Sequence, residues 1–248
     1  SMNGYASANA SITVDSHKTS IPAHLPTAIY LDLDVLENAP ARLIKSGIGD
    51  SLCFSTCQFD WLLSHLILGT NYNSTPFDLL KSHYQELTNN DLKIKALVEM
   101  LIISGLGMYI CGGSYPASQA EHLIAHYIEI RYPKVAENSY HGEQIAVTTL
   151  SVAEIQERIL SMDKIKIQPT QIDQNNLERL FDKELVQHFS QEIKNKFIDQ
   201  NLADKINLQL SKDWQGFKQQ LSQCFVSKND LFKLYQKFSL PQAANDIE

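Results

Sequence analysis

Three short segments of the sequence carry side chains that could bind a metal ion. The first is Gly-Ile-Gly-Asp, which ends at Asp50, an acidic residue that we predict to lie at a helix start. The second holds His122 and His126, which are four residues apart and therefore share one face of a predicted helix. The third is His141, followed by Gly142, where the missing β-carbon lets another backbone approach closely.

One carboxylate and two imidazoles form a ligand set that suits Zn²⁺, Fe²⁺ or Ni²⁺. Three protein ligands leave positions open for water or for a substrate oxygen, which is typical of catalytic rather than structural metal sites. Each segment alone is weak evidence for a metal site. A lone histidine is more often a core or surface residue, the His122–His126 pair lacks the glutamate of zinc proteases, and Asp50 could be a helix N-cap. The metal hypothesis therefore depends on the combination.

Helices are predicted to position these side chains. From residue 36 onward, apolar residues recur at helical spacing and Gly and Pro interrupt them, which predicts an all-helical domain over residues 36–248. We predict an N-cap region at residues 89–91, before a long apolar helix that ends near residue 110, and a break at the polar run 171–176. The other predicted helices cover residues 52–68, 75–87, 116–130, 142–161, 184–200, 202–210, 214–224 and 228–238.

Residues 1–35 differ from the rest because their apolar residues are β-branched and alternate. Residues 11–14 and 19–21 are predicted to pair as a hairpin, and the apolar run 28–31 is predicted to be a third short strand. About three short strands make a poor domain by themselves. The sequence thus predicts a mainly α chain with a small strand-rich piece at residues 1–35.

Composition excludes several classes of protein. There are 21 Lys and Arg residues against 28 Asp and Glu residues, a formal net charge of −7, so we expect neither nucleic-acid binding nor a polybasic membrane surface. The apolar stretch at residues 100–111 is about twelve residues long and is predicted to be a buried core helix rather than a membrane span, so no membrane insertion is expected.

The cysteines point to a reducing compartment. Four cysteines without a Cys-x-x-Cys pair are too few for a disulfide scaffold, and we predict that Cys53 and Cys57 are buried packing thiols. The first twenty residues lack the basic and apolar regions of a signal peptide. A cytoplasmic location is therefore expected.

Taken in order, the segments resemble the metal-dependent polyol dehydrogenases of the iron-containing alcohol dehydrogenase and dehydroquinate synthase superfamily. Within it they are most similar to the glycerol-1-phosphate dehydrogenase branch. The resemblance covers about residues 1–160, whereas the last ninety residues match only as generic helices. The stretches that carry it are 1–7, similar to the family's linker to its nucleotide-binding domain, and 32–43, 47–50, 113–126 and 141–144.

The resemblance implies a fold and a metal site. The chain would be the C-terminal helical metal-binding domain of a dehydroquinate synthase-like fold, with residues 1–35 a β remnant of the nucleotide-binding domain. Asp50, His122 and His141 fall at the family's metal-ligand positions. Phe54 stands where four-ligand iron enzymes have a further histidine, so three ligands are expected.

The resemblance also implies a reaction, which is reversible hydride transfer between a polyol or polyol phosphate and NAD(P). The full-length enzyme would interconvert dihydroxyacetone phosphate and glycerol 1-phosphate. His126 would lie near the nicotinamide and relay a proton, and Ser7 and Asn3 would lie at the cofactor. Asn3 stands where the family often has an aspartate that faces substrate, and Tyr115 stands where the branch usually has an arginine for phosphate.

The sequence contains no glycine-rich dinucleotide turn, and its Gly112-Gly113 pair belongs to the helical part. We therefore expect the C-terminal part of a two-domain, homo-oligomeric enzyme that turns over weakly or not at all alone. The alternative from another class is a degenerate, non-catalytic helical module for oligomerisation or partner binding. Glycerol dehydrogenase and a dehydroquinate synthase-type lyase are lesser alternatives, the lyase because Asp50 stands where that branch carries glutamate.

Overall fold

The computed structural model describes residues 6–14, 17–89, 93–181 and 183–247. Helices account for most of this length, which confirms the predicted mainly α fold. The helices are α1 (Leu33–Glu37), α2 (Ala41–Leu52), α3 (Phe54–Leu68), α4 (Thr75–Asn89), α5 (Ile94–Cys111), α6 (Ala120–Arg131), α7 (Pro133–Asn138), α8 (His141–Ser161), α9 (Gln174–Leu180), α10 (Lys183–Asn195), α11 (Gln200–Ser222) and α12 (Lys228–Phe238).

Two strands, β1 (Asn9–Val14) and β2 (His17–Pro22), form an antiparallel hairpin in which Asn9 pairs with Pro22. This confirms the first two predicted strands. The prediction of a third strand at residues 28–31 is wrong, because that segment is irregular and no strand among the described residues pairs with it. Tyr30 is 93% exposed, so the apolar run is not buried as a strand core would be. The predicted domain boundary after residue 35 stays a prediction.

Several helix boundaries differ from the sequence predictions. Lys93 precedes α5 as its N-cap residue, in place of the region 89–91, of which 90 and 91 lie outside the described residues. α6 begins at Ala120 rather than at Pro116, because the chain first makes a turn in which Ala117 N–H donates to the carbonyl of Ser114. The single helix α11 replaces two predicted helices, with a kink at Asp213 between them.

The polar run predicted as a break contains the start of α9. Asp173 caps this helix by accepting a hydrogen bond from the backbone N–H of Asn176. The prediction was wrong because a polar stretch with a capping aspartate can form a short exposed helix without an apolar stripe.

The apolar helix α5 extends beyond its most apolar stretch at residues 100–111, as predicted for a long helix that ends near residue 110. It runs for 18 residues with a mean hydropathy of 1.7, which is long and apolar enough to cross a membrane by length and composition. Its Met100 and Leu101 are nevertheless buried in the same cluster as Ile48 of α2. This burial supports the predicted core helix, and the expected lack of membrane insertion stays a prediction.

The main core lies between α2, α4, α5, α8 and α12. Ile48 and Leu52 of α2 pack in one cluster with Leu150 of α8 and with Leu231 and Tyr235 of α12. A second cluster joins α3 to α11. In this arrangement α2 and α8 lie side by side at the centre of the domain, with α6 packed against α8.

Candidate metal centre

Two glycines let α2 and α8 approach more closely than side chains would allow. A β-carbon on Gly142 would overlap the carbonyl oxygen of Ser46, and one on Gly49 would overlap the carbonyl oxygen of Gly142. The close backbone approach expected at Gly142 is therefore present. Because Asp50 follows Gly49 and His141 precedes Gly142, the contact brings these two side chains together.

A salt bridge fixes the first turn of α8 against α2. The guanidinium of Arg42 donates from Nε to Oε1 of Glu143 at 2.7 Å and from Nη2 to Oε2 at 2.8 Å. Burial alone would raise the pKa of Glu143, but Arg42 and the backbone N–H of Tyr140 lower it below its ordinary value. The ionised carboxylate thus holds both the helix start and the neighbouring helix, next to His141.

The three predicted metal ligands meet between α2, α6 and α8. Oδ1 of Asp50 lies 3.7 Å from Nε2 of His122 and 3.8 Å from Nε2 of His141. The three ligand atoms all lie within 4.8 Å of one another. Asp50 is in the last turn of α2, so its predicted place at a helix start is wrong: the helix begins after Pro40 and continues through the glycines.

The chemistry of Asp50 fits a bound cation. Both carboxylate oxygens are buried and have no hydrogen-bond partner among the described residues. A buried carboxylate without hydrogen bonds is costly, and proteins usually compensate it with a positive charge or a metal. Two imidazole nitrogens facing the same oxygen complete a ligand set for a transition metal with open positions. The residues present therefore fit the metal that the motifs predict.

Each of the two predicted ligand histidines also has a carboxylate at its other ring nitrogen. Nδ1 of His122 lies 2.8 Å from Oε1 of Glu121, and Nδ1 of His141 lies 3.4 Å from Oε1 of Glu129. Neither glutamate was predicted to act at the site. Glu129 could have been noticed because it follows His122 by seven residues, two helical turns on the same face.

His126 lies beside two of the predicted metal ligands. Its ring centroid is 6.1 Å from that of His122 and 5.9 Å from that of His141, against which it stacks. Ser7 is buried, and Asn3 lies outside the described residues. The predicted roles of Ser7 and Asn3 at a cofactor therefore stay predictions.

Phe54 and Tyr115, two of the positions where the sequence departs from the resembled family, make aromatic contacts. Phe54 packs against Phe77 and Tyr84, with ring centroids 5.6 and 5.5 Å away. Tyr115 is half exposed and stacks on Trp61 at 5.4 Å. Both rings thus contribute to packing on the α3 side of the domain.

Cys53 and Cys57 are buried free thiols, as predicted. Burial raises the pKa of the Cys57 thiol well above its ordinary value, so the thiol stays protonated and can donate. It donates to Oε1 of Glu121 at 3.3 Å, while Cys53 donates to the carbonyl of Ala117. The two thiols thus contact the residue next to His122 and the turn before α6.

Asp60 on α3 gives a prediction for the pH dependence of stability. Burial raises its pKa to about 6, although Gln156 donates a hydrogen bond to it at 2.8 Å. The folded state binds the proton of the Asp60 carboxyl more tightly than the unfolded state does. Protonation therefore stabilises the fold fully below pH 4, and this stabilisation is lost as the pH rises through about 6. Asp60→Asn should therefore unfold with a free energy about 1–3 kcal/mol higher than wild type at pH 7.5 and show no gain at pH 4.

Urea unfolding at several pH values measures this difference. Asp204→Asn, which changes an exposed aspartate on α11, is the control and should follow the wild-type profile. Equal pH profiles for Asp60→Asn and wild type would contradict the raised pKa.

Residues 1–40 match the family model described as iron-containing alcohol dehydrogenase. Over 161 residues, the chain is 38% identical to the glycerol-1-phosphate dehydrogenase [NAD(P)+] of Thermococcus sibiricus, a match of 62% of this chain and 45% of the relative.

Other relatives carry the same name. The Sulfolobus acidocaldarius protein is 37% identical over 163 residues, with 46% of its length matched, and the Halalkalibacterium halodurans protein is 33% identical over 162 residues, with 41% matched. The chain spans less than half the length of these curated relatives. The resemblance predicted from the motifs is thus confirmed: this chain is similar to glycerol-1-phosphate dehydrogenases over 62% of its length, and its first forty residues match the iron-containing alcohol dehydrogenases.

Proposed function

We propose that this chain carries the metal site of an NAD(P)-dependent polyol phosphate dehydrogenase that interconverts dihydroxyacetone phosphate and glycerol 1-phosphate. One observation carries the proposal. Asp50, His122 and His141 converge on one point from three helices, in a chain similar to glycerol-1-phosphate dehydrogenases. A non-catalytic helical module would not need this convergence, since an unpartnered buried carboxylate lowers stability.

Each side chain has a separate role in the proposed reaction. Asp50 supplies the negative charge that holds the cation, and His122 and His141 supply neutral nitrogens. A zinc, iron or nickel ion held by these three side chains would act as a Lewis acid toward the substrate oxygen. His126 lies next to both ligand histidines and is placed to hold or move the proton of the substrate hydroxyl.

The cofactor is NAD(P), as in the names of the relatives. Ser7 and Asn3 are proposed to lie at it. Because the sequence has no glycine-rich dinucleotide turn, we expect this chain alone to bind NAD(P) weakly and to turn over weakly or not at all. The cytoplasmic location, the homo-oligomeric state and the lack of nucleic-acid and membrane partners stay predictions.

Metal content tests the proposed site. Wild-type protein should bind a stoichiometric divalent metal, measured by elemental analysis after dialysis against trace metal. Asp50→Ala and His122→Ala should lose most of it, because each variant removes one of the three ligands. His65→Ala changes an exposed histidine that contacts the carbonyl of Thr70, and it should retain the metal. Unchanged metal content in both ligand variants would contradict the site.

A second assay tests the substrate. NADH and NADPH oxidation is followed with dihydroxyacetone phosphate, and with dihydroxyacetone as the unphosphorylated control, for the metal-loaded chain and for the longest open reading frame that encodes it. Activity with the phosphate ester is expected in the longer protein. Equal activity with both substrates would favour a glycerol dehydrogenase, since Tyr115 offers no charge for a phosphate.

A further inference from the structure

One face of α5 is apolar but lies at the surface of the protein. Only 39% of this apolar helix is buried inside the fold. Leu106, Tyr109 and Ile110 are 41%, 56% and 49% exposed, and Ile102 and Ile103 are partly exposed. We call these five residues the α5 stripe. We propose that the α5 stripe is the surface through which two copies of this chain form a symmetric dimer.

The α5 stripe is continuous because its members are separated by helical spacings. Residues three, four, seven or eight positions apart lie on the same side of a helix. The other side of α5 holds Met100 and Leu101, which are buried in the main core. The sequence has no charged side chain from Met100 to Ala120. A helix face at the surface normally carries polar and charged residues, so this one is unusual for a monomer.

Helix α4 enlarges the apolar surface beside the stripe. Nδ1 of His83 lies 3.3 Å from Oε2 of Glu99, and a β-carbon on Gly107 would lie 2.9 Å from the β-carbon of Pro76. The two helices are therefore antiparallel neighbours. Leu79 lies between Pro76 and His83, beside the apolar half of α5, and is 49% exposed. The apolar surface thus extends from α5 onto α4.

The size of this surface fits the centre of a protein interface. The exposed parts of Leu79, Leu106, Tyr109 and Ile110 amount to roughly 400 Å². A standard interface buries about 800 Å² on each partner and has an apolar centre with a polar rim. The stripe and Leu79 would supply the centre, and the exposed polar residues around them would supply the rim.

The spacing of the stripe favours a second copy of this chain as the partner. Two identical helices that pair antiparallel about a two-fold axis can place residue 106 opposite itself. The opposed residues are then Ile102 with Ile110, Ile103 with Tyr109, and Leu106 with Leu106. Each apolar position meets an apolar position of the other copy. Glu99 would lie opposite Gly113, so no like charges meet across the axis.

A membrane fits the stripe less well than a second copy does. Met100 and Leu101 hold α5 in the main core, so the helix could not span a bilayer without opening that core. Lysine and arginine are absent from residues 100–120, and the formal net charge is −7. Both features disfavour attraction to anionic lipid headgroups.

Sedimentation equilibrium over a wide range of protein concentrations tests the dimer. The mass of the wild-type chain should rise from that of one chain to that of two. Leu106→Glu should raise the dissociation constant about 100-fold or more, because two like charges would face each other at the axis. Leu208→Glu is the matched control, since Leu208 of α11 is 58% exposed, and it should dimerise as wild type does. Circular dichroism checks that both variants are folded.

A mixing experiment tests the antiparallel arrangement. Leu106→Lys should also be monomeric by itself, because two lysines would then face each other. Leu106→Glu and Leu106→Lys, mixed in equal amounts, should form a dimer that contains one chain of each. This rescue requires residue 106 of one copy to lie near residue 106 of the other, and it also shows that both variants are folded.

Each other result would overturn the proposal. A wild-type chain that stays monomeric at all concentrations has no such interface. A dimer that Leu106→Glu leaves intact forms through another surface, and a mixture without rescue contradicts the two-fold pairing at residue 106. A monomer that pellets with phosphatidylcholine vesicles, and no longer does so after Leu106→Glu, would show that the stripe binds lipid instead. The proposed metal site is tested separately, since no residue of the stripe is one of its proposed ligands.

Discussion

Gly142→Ala is expected to lower the free energy of unfolding by about 3 kcal/mol or more. The new β-carbon would overlap the carbonyl oxygen of Ser46, which is backbone of the neighbouring helix and cannot rotate away as a side chain can. α2 and α8 would have to separate, and the core between them would lose its packing. The gain of about 1 kcal/mol in helix propensity from glycine to alanine does not offset this cost.

Gly47→Ala is the matched control on α2. Its β-carbon would make ordinary contacts with Leu97 at 3.6 Å and Leu101 at 3.8 Å, so the variant should be as stable as wild type or up to about 1 kcal/mol more stable. Urea unfolding followed by circular dichroism measures both variants. If Gly142→Ala unfolds with the free energy of Gly47→Ala, the close approach of the two helices is wrong.

Metal binding should produce the second large effect. A ligand that binds only the folded state raises the free energy of unfolding, by about 4 kcal/mol when its free concentration is 1,000 times its Kd. The proposed ligands Asp50, His122 and His141 come from three helices and are adjacent only in the folded chain. Wild-type protein should therefore unfold at markedly higher urea with Zn²⁺ or Ni²⁺ than with a chelator.

Asp50→Asn should remove this metal dependence, because an amide is a poor ligand for these ions. Asp60→Asn is the control: it changes another aspartate in the same region, whose neighbours are Gln156 and Ala120 rather than the ligand histidines. It should keep the full metal-induced shift. Equal shifts in wild type and Asp50→Asn would place the metal elsewhere in the molecule.

The sequence was sufficient for several of the helices and for the three candidate ligands. Apolar residues at helical spacing predict α3, α4, α8 and α12 closely, because burial of one face decides where a helix forms. The candidate ligands could be found because a carboxylate and two histidines suit a metal ion, and because their order along the chain is similar to that in the resembled family. The structure brings them within 4.8 Å, although their role stays a proposal.

The remaining features depend on contacts between distant parts of the chain. No local pattern shows that Glu121 meets Cys57, or that Arg42 meets Glu143, since each pair is separated by 64 or more residues. The place of Asp50 in a helix end could not be read from Gly-Ile-Gly-Asp either, because glycine in a helix is unusual unless another backbone must approach. The position of Asp50 is explained by the close packing of α8 against α2.

The hydroxyl of Tyr235 donates a hydrogen bond to the carbonyl of Ala146, which follows His141 on α8. Leu231 and Tyr235 of α12 also fill the core on that helix. The recognisable motifs end near residue 160, yet the helix that presents His141 is completed by residues more than seventy positions later. The stretch that can be recognised by its motifs is thus shorter than the stretch that must fold cooperatively, and a chain cut at the end of the motifs would leave the apolar side of α8 open to water.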